Sequence, residues 1–370
     1  MTQHKTKKVK LALQGGGSFG AFTWGVIDRL LEDDRIEIVA ASGASAGAMN
    51  AVAMAQGMDR GGRQGARDNL RAFWEGFGYH KLLQKLPKIG KFTSEIEKKL
   101  QSITAMYHSS DKGGILRGLQ SYFQAAIISA ASNSSGIFEK VLSEQIDFEE
   151  LRKNKDGFPV FVSATDIDAH APRVFDRSDL NDLALKASCA IPMVIGSVEI
   201  DGREYWDGSF TENPAVEPMD DFDGDLIFVQ TFPILDRSDA EDDGVTPFQR
   251  LSELSSNSSL RKDINRIQKD NARYDFNPKA AKALGIKKTH THLINCGSSI
   301  DAAHMMNFDP KHIDNLYKQG YEAADKWLAK NFASLGVEST YKGDTVPDTP
   351  SKRIVQRNQK QNKKAITRKK

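Results

Sequence analysis

The chain has 370 residues, of which 39% are hydrophobic and 27% charged, with a formal net charge of +2; this is ordinary globular composition, long enough to bury a large core. No run approaches the roughly 18 consecutive apolar residues of a membrane-spanning helix, and the stretch Val9 to Leu13 is too short for a signal-peptide core, so a soluble, cytoplasmic protein is expected. The two cysteines, Cys189 and Cys296, lie far apart without paired spacing, which excludes a disulfide scaffold and a cysteine zinc site; no metal and no organic cofactor is expected.

Charge is unevenly spread. Tyr341 to Lys370 hold ten Lys or Arg against Asp344 and Asp348, and four lysines stand among the first ten residues, which leaves the body between them net acidic. A basic segment with almost no large apolar residues cannot build a core and reads as disordered. Residues 1–7 are expected to be a basic lead and 337–370 a basic tail, an electrostatic arm suited to an anionic membrane surface. No specific nucleic-acid contact is expected.

An apolar run from Val9 to Leu13 leads into Gly15-Gly16-Gly17-Ser18-Phe19-Gly20, followed by Phe22, Val26 and Leu30 at helical spacing. The pattern predicts strand, glycine loop, helix. A second β-branched run, Ile36 to Val39, passes through Ser42-Gly43-Ala44-Ser45-Ala46-Gly47 into a small-residue helix, Ala48 to Ala55, with a stop near Gly57. Two strand-turn-helix units in succession imply a parallel sheet covered by helices, with its site at the carboxyl ends of the strands. From about residue 61 to 136, helix-like segments such as Ala66 to Phe77 read as an insertion or lid over the sheet. Strands are expected again at Val160–Ala164, Ser197–Ile200, Leu226–Thr231 and His292–Asn295, and a last amphipathic helix from about Pro310 to Phe332. The acidic loop Asp239 to Asp243 and the serine-rich stretch after it are expected at the surface.

Gly43-Ala44-Ser45-Ala46-Gly47 fits G-x-S-x-G, in which a tight strand-to-helix turn thrusts a serine hydroxyl outward. Gly16-Gly17-Ser18-Phe19-Gly20 fits it as well, so context must choose. A serine nucleophile needs a separate source of N–H donors for the oxyanion, and a glycine-rich backbone supplies them without steric cost. The loop at Gly15, Gly16 and Gly17 can serve Ser45, whereas the turn at Ser45 is poor in spare donors, so Ser45 is preferred. Gly15, Gly17 and Gly20 also satisfy the dinucleotide pattern G-x-G-x-x-G, but that site needs an acid at the tip of the next strand, and Glu37 lies inside the strand.

In Tyr205-Trp206-Asp207-Gly208-Ser209 an acid follows two aromatics and precedes a glycine turn. Aromatic walls would desolvate the carboxylate and raise its pKa, while hydrogen bonds to the anion would lower it again; an ordinary Asp turn at a hairpin end is the competing reading.

Taken together, the glycine loop, the G-x-S-x-G serine and the Asp-Gly turn resemble the patatin-like phospholipase family. Lys186-Ala187-Ser188-Cys189-Ala190-Ile191-Pro192 resembles the family's A-S-x-A-x-P segment, Asn213-Pro214 follows in register, and the likeness runs from about residue 8 to 336. It implies a three-layer α/β/α sandwich with a mostly parallel central sheet and a helical insertion. It also implies Ser45 as nucleophile, Asp207 as its partner in a Ser-Asp dyad, the N–H groups of Gly15, Gly16 and Gly17 as oxyanion hole, and Gly20, Gly43, Gly47 and Gly208 as supporting turns. The implied activity is hydrolysis of phospholipid or another lipid acyl ester through an acyl-enzyme.

Two positions depart from the family pattern: Phe19 stands where a basic residue is frequent, and Ser209 where Gly or Ala is usual. They keep open a second reading, a catalytically weak lipid-binding or regulatory protein of the same fold. A Ser-Asp-His triad using His290, His292 or His304 has the chain order of α/β-hydrolases, but only one strand precedes the nucleophile strand here.

Overall fold

The computed structural model describes residues 6–77, 142–192, 196–232, 247–297, 304–305 and 307–343. Most of the expected insertion (beyond Phe77), the acidic loop Asp239 to Asp243 and the tail beyond residue 343 lie outside the described residues.

Strands β1 (Lys7–Leu13), β2 (Ile36–Ala44), β3 (Val160–Asp166), β7 (Asp225–Gln230) and β8 (Thr291–Asn295) pair in parallel in the order β3-β2-β1-β7-β8. Strand β4 (Ala171–Phe175) and strand β6 (Arg203–Asp207) both run antiparallel to β3, and β5 (Val198–Ile200) extends β6. Alternation along β1 shows how both faces are covered. Val9, Leu11 and Leu13 join the core formed with helix α1 (Gly20–Glu32), helix α2 (Ala46–Phe77) and helix α7 (Pro310–Asn331). Ala12 joins Leu226 and Phe228 in a second core against Leu260, Ile264 and Ile267 of helix α5 (Pro247–Phe276). Helix, sheet and helix therefore make the three layers that the sequence implies.

Lys10 points to the second face between these apolar neighbours. It is buried, its Nζ donates to the Met219 carbonyl at 3.1 Å, and burial lowers its pKa.

Gly57 is not a helix stop. The chain stays helical past it, breaks at Gly61–Gly62, where Gly62 takes φ +59°, and returns as a second helical arm to Phe77. A Cβ at Gly57 would lie 2.4 Å from the Gly65 carbonyl oxygen, so the glycine serves the contact between the two arms. Gln56 Nε2 donating to Asn69 Oδ1 at 3.1 Å, and Trp74 Nε1 donating to Asn50 Oδ1 at 2.9 Å, tie the arms together.

The serine-rich stretch expected at the surface belongs instead to α5, where Ser256 and Ser259 are buried. Leu260, Ile264 and Ile267 carried the helical signal; dense serine and charge concealed it. Strands β4 and β6 are five residues each, β4 interrupted by Pro172 and Arg173 and β6 carrying Arg203, Glu204 and Asp207, so neither shows the apolar run that marks a buried parallel strand. Shorter helices are α3 (Phe148–Lys153), α4 (Asp182–Ser188) and α6 (Pro278–Ala283). Among the described residues no helix is long and apolar enough to cross a membrane.

Candidate active site

Strand β3 brings the two sequence-predicted side chains together. On one edge its residues Val160 to Ser163 pair with β2, ending at Ala44↔Ser163; the next residue on that edge, Ala164, pairs with Asp207 of β6. Strand β4 occupies the opposite edge from Val162 to Asp166, overlapping both stretches. Strand β6 thus approaches the carboxyl end of β2 head-on, and Ser45 and Asp207 leave strands that abut on neighbouring residues of β3.

Ser45 forms the corner between β2 and α2 with φ 53°, a left-handed conformation that a non-glycine residue keeps only where its surroundings enforce it. The restraints are visible. The Ser45 N–H donates to Ser188 Oγ at 2.9 Å, the Ser188 hydroxyl donates to the Ser163 carbonyl at 2.7 Å, and the Ser45 carbonyl accepts the Met49 N–H at 3.1 Å, the first bond of α2. Ser188 of the A-S-x-A-x-P segment therefore acts as the latch of the turn, a role that its motif alone did not disclose. A Cβ at Gly47 would come within 2.1 Å of the Leu13 carbonyl oxygen, so this corner packs directly on β1.

Asp207 is 1% exposed. Its carboxylate accepts the Ser209 N–H at 2.8 Å, and the neighbouring Ser209 and Ser45 hydroxyls act with that bond to lower its pKa. Burial outweighs these bonds and raises its pKa from 3.8 to about 6. Ser209, one of the two departures from the family pattern, is thus a hydrogen-bond donor to the acid. The backbone of Asp207 is held as well: its N–H donates to the Ala190 carbonyl at 2.9 Å, and its carbonyl accepts from Thr165 Oγ1 at 2.8 Å. The Cys189 thiol is buried beside Ser45, and desolvation together with the Asp207 charge keeps its pKa well above the ordinary thiol range.

The sequence model of the patatin-like phospholipases matches residues 11–220, more than half of the chain and the whole of this constellation. The chain belongs to the patatin-like phospholipase family. That is a family of lipid acyl hydrolases. Among solved structures, VipD from Legionella pneumophila is similar at a TM-score of 0.43 and 17% identity, over 88% of this chain and 67% of that one. No curated protein sequence gives a significant match.

In this patatin-like chain the glycine loop lies against the serine. A Cβ on Gly15 would sit 2.7 Å from that of Ser45. Gly17, at φ +58°, opens the short 3₁₀ turn Gly17–Phe19 that leads into α1. The Gly15 N–H is already taken, donating to Asn213 Oδ1 at 2.7 Å, whereas the N–H groups of Gly16 and Gly17 have no hydrogen-bond acceptor among the described residues. Phe19 is buried and packs edge-on against Phe232, with ring centroids 6.2 Å apart. Its own N–H donates to the Gly16 carbonyl at 3.1 Å.

The other candidates fall elsewhere. Ser18 is fully buried, and its hydroxyl donates to the His304 carbonyl at 2.9 Å. His292 stands at the amino end of β8, where Nε2 meets Asp225 Oδ2 at 3.0 Å and Nδ1 meets Thr340 Oγ1 at 2.9 Å, at the pole opposite Ser45. Glu37 is exposed and pairs with Lys8 at 3.9 Å, near the amino end of β2. Among the described residues no cluster of His, Cys, Asp or Glu could hold a metal ion.

Proposed function

We propose that the protein is a serine-dependent lipid acyl hydrolase with Ser45 as nucleophile, Asp207 as base, and the N–H groups of Gly16 and Gly17 as oxyanion hole. The observation that carries this reading is that β3 brings Ser45 beside a buried carboxylate whose pKa is raised to about 6. Such an acid is ionised near neutral pH yet basic enough to take a proton. Gly15, expected as a third donor, is spent on Asn213 and is left out of the hole.

In the forward half, Asp207 takes the Ser45 proton as Oγ bonds to the ester carbonyl carbon, and the carbonyl oxygen becomes an anion facing the Gly16 and Gly17 donors. The tetrahedral species collapses, the leaving alkoxide receives the proton from Asp207, and an acyl-serine is left. Water then attacks that ester, giving its proton to Asp207, and the carboxylic acid departs as Ser45 is reprotonated. The amino end of α2 begins directly after Ser45, so its positive dipole end favours charge developing there.

A fluorophosphonate probe, mapped by mass spectrometry on the wild-type protein, Ser45→Ala and Ser18→Ala, tests the assignment. The expected result is label on Ser45 that is lost in Ser45→Ala and kept in Ser18→Ala. Folded protein without label at Ser45 overturns it and favours a lipid-binding or regulatory role.

The basic tail is proposed to hold the protein at anionic lipid. Its charge supports this, and so does its point of departure: Tyr341 N–H donates to the Thr291 carbonyl at 3.0 Å, which sends the chain out at the amino ends of the strands, near Lys7 and Lys8. Deleting Val346 to Lys370 is expected to weaken flotation with anionic vesicles; unchanged flotation excludes the tail as the anchor.

A further inference from the structure

A trans peptide is planar and points its C=O and N–H in opposite directions, so whatever holds the Gly15 carbonyl also aims the Gly16 N–H. The Thr231 hydroxyl holds it, donating to Gly15 O. Thr231 follows directly on β7, is 1% exposed, and its own N–H donates to Gln14 Oε1 at 3.1 Å. By the same geometry, the Phe19 N–H on the Gly16 carbonyl aims the Gly17 N–H.

On its other side Gly15 is gripped through its N–H by Asn213. That side chain is buried, with Nδ2 donating to Ser256 Oγ at 2.6 Å, while the Asn213 N–H donates to Ser259 Oγ at 3.1 Å. Asn213 lies on the segment that begins at Asp207, and Ser255 of the same helix donates to the Ser209 carbonyl. The serine row on α5 therefore fixes the base segment, and Asn213 couples that segment to the glycine loop.

We propose that Thr231 and Asn213 are positioning residues of the oxyanion hole, acting as a two-sided clamp on Gly15. This rests on the assignment of Gly16 and Gly17 as donors. A clamp of this kind affects the transition state more than the ground state, because the donors meet full negative charge only in the tetrahedral species.

The test measures turnover of a p-nitrophenyl acyl ester and affinity for an alkyl trifluoromethyl ketone. The ketone carbonyl carbon bonds reversibly to Ser45 Oγ, the serine proton passes to Asp207, and the resulting oxyanion occupies the hole. Thr231→Val, which keeps the branched shape and deletes the hydroxyl, is expected to lower kcat on the order of 10- to 100-fold with KM nearly unchanged. Ketone affinity should weaken by the same factor, and Thr231→Ser should restore both. Asn213→Ala should act in the same direction. A purely structural role would lower the melting temperature of Thr231→Val without moving kcat or ketone affinity per folded molecule, and that result overturns the clamp. If Thr231→Val does not fold, Ser256→Ala carries the test, because it loosens only the Asn213 anchor: matched losses in kcat and ketone affinity support the clamp, and unchanged values overturn it. Fluorophosphonate labelling of the same wild-type preparation separates the two failures. Labelled Ser45 with indifferent Thr231 and Asn213 sinks only the clamp, whereas absent Ser45 label sinks the functional reading beneath it.

Discussion

At the carboxyl ends of the strands Asp207 is buried beside Ser45, accepts the Ser209 N–H at 2.8 Å, and is pushed by burial to a pKa of about 6. At the amino ends Asp225 is also buried, but there Oδ2 meets His292 Nε2 at 3.0 Å and accepts the Gly336 N–H at 2.5 Å, while Thr340 fills the other ring nitrogen. One pole surrounds its acid with a ring nitrogen and backbone from the end of the chain; the other places it beside the hydroxyl of a residue in a strained backbone conformation. The contrast separates a carboxylate that locks the last segment of the fold onto the sheet from one to which the proposed mechanism assigns proton transfer.

The sharpest way to break the comparison is to neutralise each acid. Asp207→Asn is expected to lower turnover on the order of 10⁴-fold, as loss of a dyad or triad carboxylate does, while leaving the fold intact; normal hydrolysis by this variant would remove Asp207 from the mechanism. The same substitution should stabilise the protein at pH 8. A folded pKa of about 6 against an unfolded 3.8 means that the wild-type carboxyl favours the folded state below pH 3.8 and loses that contribution as pH rises through 6, about 3 kcal/mol in all. Denaturant titrations at pH 5 and pH 8 check the sign: a smaller gain for Asp207→Asn at pH 8 than at pH 5 would contradict it.

Obstructing the donors comes next. Gly16→Val places a side chain at φ +143°, with its Cβ 3.0 Å from Thr231 Oγ1, and should raise the barrier by about 2.7 to 4 kcal/mol, seen in kcat more than KM; full turnover would exclude the loop from the oxyanion hole. At the opposite pole, His292→Ala should cost about 3 kcal/mol in urea unfolding, because it strips a partner from buried Asp225, while kcat per folded molecule stays at the wild-type value. A large loss of kcat there would end the division of labour between the two poles.

The smallest effect expected is on the pH profile. The logarithm of kcat/KM should fall with unit slope below about pH 6 as Asp207 protonates. Asp263 on α5 is also buried, with a pKa raised to about 7 by desolvation and by Glu212. Its contribution to stability is therefore lost as pH rises through 7, and Asp263→Asn should flatten the decline in melting temperature between pH 6 and pH 8 without moving the activity limb near pH 6.

Much of the candidate site was legible because its chemistry is local in sequence. Gly43 to Gly47 and Gly15 to Gly20 each occupy one turn, and the residue types at those turns state what the backbone must do: reverse tightly, approach a neighbouring strand, leave N–H groups unshaded. Asp207 could be singled out by its glycine turn. Its pairing with Ser45 was implied only by the family resemblance and not by the local residues, since it depends on β6, a five-residue strand that takes over the edge of β3 where β2 stops. The serine row of α5 was misread for a related reason: polar residues buried to hold a loop look, in sequence, like polar residues facing water.

The sequence by itself determined the layered α/β architecture, the core strands and the two glycine turns, since hydrophobic period and glycine placement are imposed by backbone geometry within a few residues. Only the tertiary structure decided which N–H groups of the glycine loop are left without an acceptor among the described residues. Gly15, Gly16 and Gly17 are chemically identical in the sequence, and it is Asn213, 198 residues away, that takes the N–H of the first, while Thr231, 216 residues away, orients that of the second. Hydrogen-bond satisfaction is a property of what folding brings alongside.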